Sequence, residues 1–309
     1  MTKFIIRRFI GLIPTLFIII TISFFIVRIA PGGPFDKEKR LPPEILKNIE
    51  KKYHLDESLV KQYGRYLLDM ARGDLGPSFA YPDHDVNFFI FHSLPKSILL
   101  GTMALGLSVI LGIGTGMISA LRQNKWQDYT AMSIAVFGIT VPNFVVGPVL
   151  MYFLALKLGW LPTSGWITGR YGWSTIIMPV ITLTLPYFAY MARLSRASIL
   201  EVLRSDYIRT ARAKGLGESV IMFKHVLKGA LLPVVSYLGP AFAGIITGSV
   251  VVERIFRIPG LGQFFVQAAF NRDYTLLMGT VIVYSVILII MNFIVDIIYG
   301  YLDPRISYS

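Results

Sequence analysis

Six apolar runs separated by polar intervals organise this chain, at about Phe9–Val27, Ser97–Leu121, Thr130–Leu156, Ile176–Met191, Leu231–Val252 and Thr275–Tyr299. A helix rises about 1.5 Å per residue and a bilayer's hydrocarbon core is roughly 30 Å thick, so runs of this kind predict six transmembrane helices. The first run is longer than the core of a signal peptide. It ends in Arg28-Ile29-Ala30-Pro31-Gly32-Gly33 without a small-x-small cleavage pattern and reads as an uncleaved span. The fold class expected from this pattern is an all-α integral membrane protein.

Two polar intervals are long enough to hold structure of their own. After the first run, Ile45 and Ile49 pair at helical spacing, and Leu59, Tyr63, Tyr66, Leu67 and Met70 recur at helical spacing. The turn-formers Gly73-Asp74, Gly76-Pro77 and Tyr81-Pro82-Asp83 follow. This predicts a small, partly helical extramembrane lobe. The chain then divides into a tail and first span at 1–29, the lobe at 30–95, and a five-span domain at 96–306.

The second interval, 193–230, contains a short helix with readable ends. Ser205 stands at its N-cap, and Asp206 puts a negative charge in the first turn. Arg209, Arg212 and Lys214 follow toward the end that the macrodipole favours for cations, and Gly215 stops the helix. A second helical piece is expected from Glu218 or Ser219 to about Gly229.

Small and helix-breaking residues mark the spans. Gly112-x-x-x-Gly116, and Gly244 with Gly248, have the spacing that lets helix backbones approach closely. Gly112-Ile113-Gly114-Thr115-Gly116 is not a phosphate-cradling loop, because it lies inside an apolar helix with no strand before it. Pro142 and Pro148 interrupt the third run. Thr140 and Asn143 beside Pro142 either line a pathway or repair the backbone that the proline disturbs, and both readings stay open. Trp160, Trp166 and Trp173 in the following loop suit a membrane interface.

With 54% hydrophobic and 16% charged residues, the 309-residue chain is too apolar for an ordinary soluble domain. Its formal net charge of +12 sits mostly at the ends of apolar runs, which topology explains more simply than nucleic-acid binding does. One side of the membrane receives Lys3, Arg7, Arg8, Arg122, Lys125, eight cations of the 193–230 interval and Arg305. The other short loops hold Lys157, Arg170, Arg254, Arg257 and Arg272. The bias puts both termini and the 193–230 interval in the cytoplasm and the lobe outside. The basic interval itself has two readings: a docking element for a soluble partner, or a solvated loop that obeys the charge rule and touches anionic lipid.

Chemistry is sparse. The sequence has no His-Glu-x-x-His, Gly-x-Ser-x-Gly or Gly-Lys-Ser/Thr motif, no cysteine, and four scattered histidines, so no catalytic residue, metal site or bound cofactor is expected. Glu253 and Asp296 fall near span ends rather than at mid-membrane, where an ion-coupled carrier needs an ionisable group. Uphill transport by such a chain requires energy from a partner. An ion-coupled secondary carrier and a lipid-acting membrane enzyme are the competing classes.

The stretch Asp206-Tyr207-Ile208-Arg209-Thr210-Ala211-Arg212-Ala213-Lys214-Gly215-Leu216, followed by His225, Leu227 and Leu231-Leu232-Pro233, resembles the EAA cytoplasmic motif of ABC importer permeases. It is similar to the longer variant of the dipeptide and oligopeptide branch. Arg7-Arg8, Ala30-Pro31-Gly32, Gly73-Asp74-Leu75-Gly76 with Ser78-Phe79, Pro142-x-Phe144 and Leu161-Pro162-x-x-Gly165 fit the same pattern. So do Glu253-x-x-Phe256-x-x-Pro259-Gly260-Leu261-Gly262, Arg272-Asp273-Tyr274 and Leu302-Asp303-Pro304-Arg305. The large lobe after the first span resembles that of the B-type subunit. Arg209 and Thr210 stand where the motif's acidic residue and first alanine usually lie, which leaves the polar contacts there unassigned.

The resemblance implies a six-span type I ABC permease fold with a small periplasmic lobe, in a bacterial inner membrane. It implies a second homologous permease, two ATP-binding subunits that use ATP and Mg, and an extracytoplasmic peptide-binding protein. Asp206, Arg209, Thr210, Ala211, Arg212, Ala213, Lys214 and Gly215 would dock on the ATPase, with Ala211 and Ala213 allowing close approach. The cargo implied is a peptide; nickel chelates or heme, which related systems carry, are the alternative.

Overall fold

The computed structural model describes residues 2–29 and 43–302, and the regular elements among them are helices, with one isolated bridge between Pro77 and Asp85. Ala30-Pro31-Gly32 and Asp303-Pro304-Arg305 lie outside the described residues. In chain order the helices are α1 (Thr2–Ile29), α2 (Pro43–Lys52), α3 (Leu59–Ala71), α4 (Val86–Leu121), α5 (Trp126–Thr140) and α6 (Asn143–Leu150). A wide turn, Met151–Lys157, extends α6, and a tight one, Gly172–Ile176, leads into α7 (Ile177–Leu203). Then come α8 (Asp206–Ala213), α9 (Glu218–Val220), a wide turn Ile221–Val226, α10 (Leu227–Ala230), α11 (Leu232–Gly248), α12 (Val250–Ile255), α13 (Leu261–Asn271) and α14 (Tyr274–Leu302).

Among the described residues, five segments are long and apolar enough to cross a membrane: Ile10–Ile29, Val86–Leu121, Gly172–Leu203, Leu232–Ile255 and Tyr274–Ile298. A sixth, Trp126–Thr140 with Asn143–Lys157, is bent by 102° at its break. Pro142 accounts for the break, since it has no N–H for the helix ladder and biases Val141 to the extended conformation, found at ψ 118°.

The second and fourth spans outrun their hydrophobic runs. Helix α4 starts at Val86 rather than Ser97, because Val86, Phe89, Ile90, Ser93 and Ser97 are buried at helical spacing. Helix α7 continues past Met191 to Leu203, so Arg193 and Arg196 belong to its last turns rather than to a loop. The loop expected between the last two spans holds α13, which the aromatic and glycine content had masked.

The chain forms two compact units. One comprises residues 1–9, 98–258 and 287–309, with α7 at its centre. A Cβ on Gly116 would lie 2.7 Å from both the Ala192 carbonyl oxygen and Ser195 Cβ, and one on Gly112 would meet Met191 Cβ, so α4 crosses α7 at backbone contact. Ser108 Oγ also donates to the Thr184 carbonyl at 3.1 Å across that crossing. On other faces, Ala135 of α5 packs on Phe188, Ala189 and Ala192, and Tyr190 stacks on Tyr237 of α11 at 4.1 Å. A Cβ at Gly244 would meet the Tyr187 hydroxyl at 2.9 Å, so the bare backbone of this glycine is closely approached. Gly248 closes α11, and its surroundings lie outside the described residues.

The other unit comprises residues 10–97 and 259–286. Here Ile20 and Phe24 of α1 pack with Tyr66 of α3 and Met278 and Ile282 of α14. Asp273 binds the turn region to the start of α14. Its carboxylate accepts from Ser78 Oγ and from the Ala80 N–H at 3.1 Å, and caps α14 by accepting from the Leu276 N–H at 3.1 Å. Two motifs far apart in sequence, Gly76-Pro77-Ser78 and Arg272-Asp273-Tyr274, are thus one local structure.

Candidate functional site

The protrusion after α7 is built on its own small core. Ile208 and Ala211 of α8 point into a cluster with Ala120, Ile199, Ile221, Met222, Val226 and Ala230. Period 3 places 208 and 211 on one face, so α8 is bedded on the ends of α4 and α7 and on the returning segment. The opposite face, with Asp206, Tyr207, Arg209, Thr210, Ala213 and Lys214, is exposed.

The helix ends behave as the sequence predicts, with one exception. Ser205 has the extended N-cap conformation, yet its Oγ donates back to the Val202 carbonyl at 2.6 Å instead of capping α8. Gly215 has φ +77°, the left-handed region, and its N–H donates to the Arg212 carbonyl at 2.9 Å. The chain turns there, and the wide turn Ile221–Val226 packs against α8 through Ile221, Met222 and Val226.

The expected docking residues separate into two groups. Ala211, expected to ease approach of a partner, is 8% exposed and serves packing within the chain. Arg212 is engaged by Glu218 across the Gly215 turn, with Nε–Oε1 2.8 Å and Nη2–Oε2 3.2 Å. That pairing holds the Glu218 carboxyl below the usual carboxylate range and raises the Arg212 guanidinium further. Arg209 reaches Asp206 one turn back at 3.3 Å, an exposed pair of little energetic weight. Thr210 Oγ1 donates to the Asp206 carbonyl at 3.0 Å. Tyr207, Leu216, Val220 and Phe223, which the sequence reading did not single out, add apolar surface to the same protrusion; Phe223 is 63% exposed. An exposed phenylalanine on a short amphipathic helix was the available signal.

The protrusion stands on a polar joint. Arg196, near the end of α7, makes a forked pair with Asp128 in the first turn of α5, Nε–Oδ1 2.8 Å and Nη2–Oδ2 2.7 Å. Ser119 Oγ on α4 and the Asn124 N–H at 3.0 Å complete the carboxylate's partners. In the sequence Asp128 merely follows the short basic turn of Arg122 and Lys125, and Arg196 is one of eight cations in the 193–230 interval. Their spacing in sequence gives no hint of the pair.

At the break of the third span, Thr140 Oγ1 donates to its own helix, at the Val136 carbonyl, 2.9 Å. Pro142 is exposed and supplies the cap position of α6, where its carbonyl accepts from Val145 and Val146 at 2.9 and 3.1 Å. Asn143 begins α6 half-buried. The Thr140 hydroxyl thus bonds back within its own helix, to a carbonyl other than that of Gly138, which Pro142 leaves without its helical N–H donor.

These features define a class first. A bundle of membrane spans with a short polar helix bedded between two of them is the fold of ABC importer permeases. A chain of the MetNI methionine ABC transporter in an inward-facing conformation superposes with TM-score 0.58 at 18% identity, over 70% of this chain and 97% of that one. A chain of an amino acid ABC transporter crystallised with histidines gives 0.54 at 17% identity, over 70% and 94%.

Sequence comparison then fixes the family. Residues 112–308 match the binding-protein-dependent transport system inner membrane component, and residues 1–81 match the N-terminal component of such systems. The chain is 50% identical over 308 residues to the oligopeptide transport system permease protein OppB of Haemophilus influenzae and 51% identical to that of Escherichia coli strain K12, covering 100% of each chain. It is 44% identical over 307 residues to the dipeptide transport system permease protein DppB of Bacillus subtilis, covering 99% of this chain and 98% of the relative. The chain belongs to the family of binding-protein-dependent transport system inner membrane components and is a membrane permease homologous to the oligopeptide and dipeptide permeases.

Proposed function

We propose that this permease carries peptides inward as one of two homologous membrane subunits, driven by two ATP-binding subunits that dock on α8 and fed by an extracytoplasmic peptide-binding protein. The reading places the chain in a bacterial inner membrane, multi-pass, with both termini and the 193–230 protrusion in the cytoplasm and the 30–95 lobe outside. The permease domain is then 96–306. The chain itself binds no cofactor and catalyses no reaction in this reading; ATP and Mg act in the partners.

The carrying observation is the two-sided helix α8. Its apolar face is bedded on the ends of α4 and α7, while its other face is presented outward beside exposed Leu216, Val220 and Phe223. A short rigid helix fixed to two spans transmits a push on its exposed face to those spans. Arg209, Thr210, Ala213 and Lys214 are the residues of the expected docking set that remain free to meet a partner, while Asp206 flanks them and Gly215 sets the turn.

The test is ATP-driven uptake of a labelled tripeptide by proteoliposomes holding the full complex. Ala213→Glu and Lys214→Glu change only the exposed face, so they should abolish uptake and ATPase co-purification while the permease stays inserted and thermally unchanged. Normal uptake by both variants removes the docking role. Uptake that persists without ATP but with an ion gradient replaces the whole reading with a carrier.

A further inference from the structure

The unit that contains the lobe holds a cavity of about 280 Å³. Its walls include Arg28 at the end of α1, Lys52 of α2 with Tyr53, Tyr66 of α3, and Phe79 of the turn region. Two features make it a built site.

The first is Tyr66. The residue is 9% exposed, and its hydroxyl has no hydrogen-bond partner among the described residues. An unsatisfied buried hydroxyl costs about 1–3 kcal/mol, and a position held at that cost points to a missing acceptor. Burial pushes the phenol above its usual range, so it remains a donor throughout the physiological range.

The second is Arg28. Its Nε donates to Gln62 Oε1 at 2.9 Å, its guanidinium carbon lies 3.7 Å from the centre of the Phe24 ring, and its Nη1 meets the Met278 sulfur at 3.8 Å. Gln62 is itself anchored through Nε2 to the carbonyls of Leu55 and Glu57, at 3.2 and 2.8 Å. The guanidinium is therefore positioned by neutral groups, and among the described residues no carboxylate comes within ion-pairing distance of it.

The remaining charges on the wall keep the balance positive. Lys52 and Arg65 line it with one carboxylate, Asp69, among the described residues; Arg65 is occupied by Glu57 at 2.6 Å, and its Nη1 lies 3.4 Å from His54 Nε2. Tyr53 and Phe79 meet edge to face at 4.9 Å and supply apolar walls.

We propose that this cavity binds a single oxyanion group, a carboxylate or a phosphate, with Arg28 as its charge partner and the Tyr66 hydroxyl as a directed donor. A water molecule would satisfy Tyr66 but leave the Arg28 guanidinium with no carboxylate partner among the described residues, and a cation would face Arg28 and Lys52. The volume holds a headgroup or the carboxyl end of a short chain, not a whole oligopeptide. Two sources carry this chemistry, a free small acid and the phosphate of a lipid.

The test uses the full-length chain in maltoside detergent micelles, which contain no phosphate, with thermal unfolding followed against N-acetylalanine, its uncharged amide, and inorganic phosphate. The acid or phosphate should raise Tm saturably and the amide should not. Tyr66→Phe should weaken the apparent affinity by about tenfold, the worth of one hydrogen bond to a charged group, and Arg28→Gln should abolish the response. Micelles supplemented with phosphatidylglycerol separate the sources. A lipid occupant raises Tm before any acid is added, and Tyr66→Phe diminishes that rise; a free acid as the only occupant leaves Tm unchanged by the lipid. If neither anion nor anionic lipid stabilises the wild type more than Tyr66→Phe, the proposal is overturned. Tyr66→Phe keeps the aromatic packing, so the test stands even where Arg28→Gln fails to fold. None of these readouts depends on uptake, so a negative result here leaves the transport reading standing.

Discussion

Arg196 and Asp128 form a two-pronged ion pair, 2.8 and 2.7 Å, that ties the end of α7 to the start of α5. Asp128 is 3% exposed, and 68 residues separate the partners. Because α8 follows α7 after a two-residue link, this pair fixes the base from which the protrusion projects.

Asp128→Ala removes a buried acceptor and leaves the Ser119 hydroxyl and the part-exposed Arg196 guanidinium without it. It should therefore cost about 1–3 kcal/mol, read as a lowered midpoint of denaturant unfolding in nanodiscs. Replacing both residues, Asp128→Leu with Arg196→Met, should recover most of that loss. A double variant as unstable as the single one would show that the site's cost lies elsewhere.

Contact between α4 and α7 yields a test with an internal control. Gly116→Ala forces a methyl to within 2.7 Å of the Ala192 carbonyl oxygen and Ser195 Cβ and should cost about 1–3 kcal/mol. Gly114→Ala, on the same helix with nothing within 4 Å of its added carbon, should be neutral or slightly stabilising through helix propensity. Equal effects at the two positions would refute the close crossing.

At the α8 stop, Gly215→Ala meets no steric neighbour but must hold φ +77°, a strain of roughly 1 kcal/mol. Gly217→Ala, with ordinary extended backbone, should carry no such cost. Hydrogen exchange of the α8 amides is the readout, faster in the first variant and unchanged in the second. Ala211→Glu should behave differently from both: it places a charge in the core beneath α8 and should destabilise the protein itself, so it is no clean probe of docking.

The Arg212–Glu218 pair predicts a pH dependence with a definite sign. Glu218 titrates below its unfolded value, so its contribution is present above the ordinary glutamate range near pH 4.3 and is lost as pH falls through the lowered folded value. The carboxylate infrared band of labelled glutamate should show one group protonating late on acidification, moved back up by Arg212→Ala and by about 1 M salt. Both groups are substantially exposed, so the effect on global stability should be small.

Local signals carried much of this protein. The six apolar runs, α8 from Asp206 onward, the stop at Gly215 and the break at Pro142 all follow from residues within a turn or two of one another. Hydrophobic length, capping and the missing proline N–H act at short range, so one sequence suffices to read them. The family motifs were legible for the same reason, as strings of neighbours.

What the tertiary structure alone decided are pairings across long separations. Nothing near Ala211 told that its methyl would face Ile208's cluster rather than a partner, because a short helix shows which residues share a face but not which face is covered. Asp128 found Arg196, and Asp273 found Ser78, only once helices distant in sequence were packed. The unpartnered Tyr66 hydroxyl is of the same kind: a tyrosine at helical spacing reads as core, and only the packed neighbours reveal that its polar end was left without an acceptor.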